Sequence, residues 1–206
     1  MTTIIKITPD DFESAVDIAK ETLKSGGIIV YPTDTLYGIG CDATSEEAVR
    51  KVHTIKGTWM HKPLSVMVSD FSMIEYYCDT WAWEDMIIRK YLPGPHTFIL
   101  KKKREIAASE SDKLGVRMPD LEFCLELCKR FGKPIVTTSA NATDKESPFK
   151  IEDVNKEIID SVSLVIDGGP TKYRKPSGII DLVEKKIIRK GFEDINLLDM
   201  ADETQK

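Results

Sequence analysis

The chain predicts a single α/β domain with a twisted sheet, mixed parallel and antiparallel, flanked by helices and carrying a concave ligand site. Three observations carry that expectation. Apolar runs of strand length alternate with helix-period stripes over most of the chain, the later strands follow one another through short turns, and 206 residues suit one core rather than two. The expected organisation is one domain over 1–192 and a weakly structured tail over 193–206.

Residues 3–7 alternate as a short strand, and Pro9-Asp10-Asp11 opens a helix whose Phe12, Ala15, Val16, Ala19 and Leu23 share one face before Gly26-Gly27 stops it. Residues 27–31 form a buried strand. The stretch YPTDTLYGIG, Tyr31–Gly40, follows it, and its Pro, Gly, Thr, Asp and Tyr content reads as a sharply turned loop of site composition rather than core. Thr44-Ser-Glu-Glu47 matches a capping box, opening a helix with Ala48, Val49, Val52 and Ile55 inward and Gly57 at its end.

Residues 64–68 read as a strand buried on both faces, 72–77 and 81–92 as helices, and Pro93-Gly94-Pro95 as the stop of the second. Strand 97–100 runs into Lys101–Arg104, a basic run that reads as a solvated strand end. Strand 113–118, helix 121–131 and strand 134–138 follow, the last ending in Ser139-Ala140-Asn141. Helix 151–159, strand 164–166, a turn at Asp167–Pro170 and strands 179–182 and 187–189 complete the domain.

The net charge of −5 excludes a protein that coats nucleic acid by bulk electrostatics, leaving only a local basic cleft for weak RNA binding. No apolar run approaches the ~18 residues of a membrane span. MTTIIKITPDDF places acids where a signal peptide is apolar, so the cytoplasm is the expected compartment. Cys124 and Cys128 lie one helical turn apart among leucines while Cys41 and Cys78 are isolated, so the four read as small apolar residues with no zinc spacing.

Chemistry is expected where strands end in hydroxyl, amide or cationic residues: Thr33–Tyr37, Lys56–Lys62, Arg117–Asp120 and Ser139–Asn141. In open α/β sheets such ends converge on a ligand. Lys56, Lys62, Arg117 and Arg189 supply cations for a phosphate-bearing anion, and Thr35, Ser139, Asn141 and Ser177 orient polar groups. Taken singly, Thr33 and Thr35 serve equally to satisfy a turn, Arg117 to pair a structural acid, and Ser139 and Asn141 to cap a loop. A Walker-type phosphate loop is absent, Gly38-x-Gly40 lacks the rest of a dinucleotide fingerprint, and His53, His61 and His96 have no nucleophile motif around them. His53 reads as a surface or core-edge helix residue.

YPTDTLYGIG, HKPLSVMV, LPGPHTFIL, GVRMPD, TTSAN, DGG, KPSGIIDL and IIRKG, in that order, resemble the YrdC-like family, the threonylcarbamoyl-AMP synthases, over about residues 10–192. The resemblance implies that L-threonine and bicarbonate form a carbamate that attacks the α-phosphorus of ATP, with Mg²⁺ assisting. It further implies a partner transferase that passes the threonylcarbamoyl group to tRNA. By matching motifs, Thr35, Arg117 and Ser177 would hold threonine. Lys56, Thr58, Lys62, Ser139, Asn141 and Arg189 would line the ATP side, Lys56 and Arg117 being the catalytic pair; no protein metal ligand is implied.

The chain departs from the family at three places. Lys56-Gly57-Thr58-Trp59 replaces Lys-x-Arg-Pro, Thr143-Asp144 replaces Ser-Gly, and Gly178 replaces a Thr. His61 and Arg174 are the loop cations available to replace the arginine charge. A YciO-like paralogue with lost or altered synthase activity is the alternative reading. On the main reading, Lys56→Ala, Arg117→Ala and Asn141→Ala each reduce product formation while leaving the fold intact.

Overall fold

The computed structural model describes residues 2–142, 145–192 and 195; the tail, apart from Ile195, and Thr143-Asp144 lie outside the described residues. The strands divide between two mixed sheets rather than one. The first runs β1 (Thr3–Lys6), β10 (Leu164–Asp167), β2 (Ile29–Pro32), β3 (Tyr37–Gly40) and β9 (Thr138–Ser139), its first three strands parallel and the rest antiparallel. The second runs β12 (Lys186–Arg189), β11 (Gly178–Asp181), β6 (His96–Lys102), β7 (Lys113–Arg117), β4 (Val66–Met67) and β8 (Ile135–Val136), with β5 (Cys78–Asp79) beside β6.

One apolar cluster joins the sheets through Val30, Ile39, Val66, Phe98, Val116 and Val136. A second lies under α1 (Phe12–Lys24) and α5 (Glu122–Phe131), where Ala15, Val16, Ala19 and Leu23 are grouped with Phe123, Cys124, Leu127 and Cys128. All four cysteines are free and buried, and burial raises their thiol pKa values, as expected of apolar packing residues. No helix among the described residues is long and apolar enough to cross a membrane.

Several local expectations are corrected. Tyr31–Gly40 is a buried hairpin, not one loop: β2 and β3 pair across a turn at 33–36. Of the two glycines that suggested a loop, Gly40 is there for packing, since a Cβ on it would stand 2.7 Å from Tyr31 Cε1. The capping box is displaced. Thr44 bonds back to Asp42 through its amide and hydroxyl, and Ser45 caps α2 (Glu46–Lys56) by accepting from the Ala48 amide. Gly57, at φ +61°, closes that helix in the left-handed region.

The expected helices at 72–77 and 81–92 are present as α3 (Phe71–Tyr77) and α4 (Ala82–Tyr91). The helix expected over 151–159 breaks into a 3₁₀ turn, Ile151–Asp153, and α6 (Lys156–Ser161), because Asn155 accepts from the Glu157 amide at 2.8 Å and starts a new helix. The strand expected over 134–138 divides between β8 and β9, so one short segment changes sheets. Lys101–Arg104 is a solvated strand end, with Lys102 paired to Glu105 and Arg104 stacked over Tyr76.

Candidate functional site

Where the chain changes sheets, three structural corners converge. The first is the β2–β3 turn. Thr33 Oγ1 donates to the Leu36 carbonyl at 2.7 Å and accepts from the Thr35 and Leu36 amides, a local lock that fixes Thr35. Thr171 Oγ1 donates to the Thr35 carbonyl at 2.6 Å and the Tyr173 amide to the Asp34 carbonyl at 2.9 Å, pinning the turn from the far side.

Arg117, the last residue of β7, reaches this turn. Its Nη2 donates to Asp34 Oδ1 at 2.6 Å and to Thr35 Oγ1 at 3.0 Å. Asp34 Oδ2 accepts from the Asp120 amide at 3.1 Å. Both side chains are buried, Asp34 at 1% exposure and Arg117 at 7%. The reading of Arg117 as a structural ion-pair partner therefore holds. Nη2 makes both bonds to protein, while Nε has no hydrogen-bond partner among the described residues.

The second corner is the end of α2 facing Ser139-Ala140-Asn141. Lys56 Nζ donates to the carbonyls of Ser139 and Asn141 at 2.6 and 2.9 Å. Burial, and then the charge of Lys62, lower its pKa to about 8. Ser139 Oγ donates to Asn141 Oδ1, and Asn141 Nδ2 to the Lys145 carbonyl, so the two side chains are fixed by each other and by the loop that follows. Thr58 bonds His53 Nδ1 through its hydroxyl at 2.9 Å, and Lys62 is exposed on the same loop. His53 is not a surface residue: it is 1% exposed, and burial lowers its pKa.

The third corner joins β6, β11 and β12. Ser177 Oγ shares a 3.0 Å bond with Thr97 Oγ1, and Arg189 donates to Ser177 from Nε to the carbonyl and from Nη2 to Oγ. Arg189 as a whole is exposed, but its guanidinium end lies over Ser177. That loss of water, followed by the charge of Arg117, lowers its pKa. A register shift between Ile179 and Ile180, where β11 pairs β12, lies beside this arginine.

These corners enclose a cavity of about 410 Å³, and all nine residues expected at the site line it: Thr35, Lys56, Thr58, Lys62, Arg117, Ser139, Asn141, Ser177 and Arg189. Lys56, Lys62, Arg117 and Arg189 are its cations, and no carboxylate is among the described residues of its lining. Such a surface binds anions. His61 and Arg174, considered as replacements for the arginine missing at position 58, do not line it. His61 pairs with Glu110 at a separate groove, and Arg174 stacks over Phe149. At Gly178 a Cβ would approach His96 Nδ1 to 3.3 Å.

Sequence reasoning did not single out Asp34, Thr97 or Thr137 for the site. Asp34 sits inside the motif, but its partner is 83 residues away, and only an acid flanked by turn residues with no local cation hinted at it. Among the described residues no three His, Cys, Asp or Glu side chains gather as a metal site.

Residues 21–191 match the family model Sua5_yciO_yrdC, described as "Telomere recombination". A Pyrococcus abyssi protein named threonylcarbamoyl-AMP synthase is 31% identical over 89% of this chain and 55% of its own length; the bovine protein of that name is 33% identical over 82% and 63%. A Methanocaldococcus jannaschii protein, given the same name provisionally, is 41% identical over 95% of this chain and 94% of its own. The chain thus spans nearly all of one of these relatives and between half and two thirds of the others. Among solved structures, Pyrococcus abyssi Sua5 complexed with L-threonine superposes with a TM-score of 0.84 at 28% identity, over 93% of this chain and 57% of that one. Escherichia coli YciO superposes at 0.85 and 26%, over 96% and 99%. The ordered motifs, the two-sheet fold and these matches agree, and the chain belongs to the Sua5/YciO/YrdC family.

Proposed function

We propose that this chain forms threonylcarbamoyl-AMP from L-threonine, bicarbonate and ATP, releasing pyrophosphate. The observation that carries the reading is a single anion-binding cavity with two differently built ends. Thr35 and Arg117 form one, Lys56, Lys62, Ser139 and Asn141 the other, and Ser177 with Arg189 makes the third corner. The relatives' names and the threonine complex of one of them support the same assignment.

Arg117, with Nη2 committed to the protein and Nε buried, keeps Nη1 to donate to the threonine carboxylate. The threonine amine adds to bicarbonate and water leaves, giving a carbamate. A carbamate oxygen then attacks the α-phosphorus of ATP, and pyrophosphate departs with the bonding electrons. Nothing in this sequence requires a side-chain nucleophile. The protein's contribution is positioning and charge neutralisation by Lys56, Lys62 and Arg189 along the phosphates. Mg²⁺ would be brought by the ATP phosphates and would help neutralise their charge, the described lining offering hydroxyls and no carboxylate. The product is a mixed anhydride suited to a transferase that modifies tRNA, and the cytoplasm is where that chemistry belongs.

The deciding experiment is pyrophosphate release from ATP with Mg²⁺, adding threonine and bicarbonate singly and together. Release that requires both is the expected result. ATP binding by calorimetry with no release under any combination would overturn the assignment and favour a paralogue that has lost or altered its second substrate.

A further inference from the structure

Two chemically different anions, a carboxylate and a triphosphate, share the proposed cavity, so something must keep phosphate out of the amino-acid end. We propose that Asp34 does this: it aims Arg117 and offsets its charge, making that end accept a carboxylate and refuse phosphate. The inference rests on reading the Arg117 end as the amino-acid end. Asp34 does not line the cavity, and both its oxygens are engaged, one by Arg117 Nη2 and the other by the Asp120 amide. It therefore acts through Arg117 as a positioning residue.

The two effects have separate physical causes. Direction comes from geometry: with Nη2 held by Asp34 and Thr35, the guanidinium cannot rotate, and with Nε buried the donor left for a ligand is Nη1. Selectivity comes from charge. A carboxylate 2.6 Å away in a buried setting cancels much of the field that Arg117 projects. A carboxylate monoanion still binds through a charge-assisted hydrogen bond from Nη1, whereas a phosphate dianion needs net positive charge. Arg189 is built differently. It donates to the carbonyl and hydroxyl oxygens of Ser177, neutral groups that leave its charge available to phosphate.

The test uses the full chain labelled with ¹⁵N-arginine, the Arg117 side-chain signals being assigned through Arg117→Lys. L-Threonine, acetate and inorganic phosphate are titrated at equal concentrations into the wild type and Asp34→Asn. In the wild type, threonine and acetate shift the Arg117 signals and phosphate does not. In Asp34→Asn, threonine binds about tenfold more weakly, the order of one charge-assisted contact, and phosphate now shifts Arg117 and competes with threonine. Phosphate moving the wild-type Arg117 signals as strongly as acetate does would overturn the proposal. So would an Asp34→Asn protein that melts lower but keeps the wild-type preference, since that is the mark of a purely structural pair. If Asp34→Asn does not fold, the wild-type titration decides alone. Acetate acting on Arg117 while threonine does not would remove the assigned function and leave the role of Asp34 standing.

Discussion

Lys56 Nζ lies 2.6 Å from the carbonyl oxygen of Ser139, joining the last turn of α2 to the strand that has just entered the first sheet. The bond makes one cation both a brace for the site and part of its field.

That double use predicts a pH dependence. With its pKa lowered to about 8, Lys56 loses its charge as pH rises through that value, and ATP affinity falls with it. Calorimetry at pH 7 and pH 9.5 should show weaker binding at the higher pH, and Lys56→Met should bind weakly and equally at both. Stability moves the other way. Between about pH 8 and the ordinary lysine value of 10.5 the unfolded chain holds more protons than the folded one, so this group's contribution to stability rises with pH. A tenfold affinity loss that persists in Lys56→Met would assign the effect to another group.

Arg117→Ala should cost far more than activity. It leaves the buried Asp34 carboxylate without its cation, a change worth about 3–5 kcal/mol. Urea unfolding should register that loss, and Asp34→Asn/Arg117→Ala should recover a good part of it, giving a coupling well outside additivity. The expectation that the single variant leaves the fold intact is thereby revised.

Gly38 and Gly40 lie two residues apart on β3 and should respond differently to alanine. A Cβ at Gly40 meets Tyr31 Cε1 at 2.7 Å and Ile135 Cγ2 at 3.0 Å, whereas at Gly38 the nearest atom is at 3.5 Å. Gly40→Ala should destabilise by ~1–3 kcal/mol through overpacking. Gly38→Ala should melt within a few degrees of the wild type.

Thr58→Arg adds a cation at the cavity edge and gives up the hydroxyl bond to His53. One charge-assisted phosphate contact is worth about 1.5–3 kcal/mol, so kcat/KM for ATP should rise at least tenfold. No change in that constant would mean that Thr58 is not a deficit here.

The site residues were legible because each follows a strand or helix end in a recognisable motif, and the fold then gathers such ends at one place. What sequence periodicity could not show was partnership at long range. Asp34 looks like one more turn residue until Arg117 arrives from β7, and His53 looks exposed until the loop at Thr58 folds over it. The strand β3 escaped notice because a glycine required by packing against Tyr31, Gly40, resembles a glycine required by a turn. The break before α6 was written in Asn155, a capping residue inside an otherwise helical stretch. Division into two sheets depends on which neighbours β8 and β9 choose, and no local pattern encodes that choice.

The segment that changes sheets has one more effect. The Val136 amide donates to the Cys41 carbonyl, the Thr137 amide to Ser65 and the Ala140 amide to Tyr37, so three hydrogens within five residues are held by three different parts of the molecule. A local fluctuation that loosens one of these anchors leaves the other two in place. Solvent deuterium should therefore reach these amides only when the whole domain unfolds, at the slowest exchange rate in the protein. The walls of the cavity would then be among its most durable backbone, and whatever admits the substrates must lie in the loops that rim it.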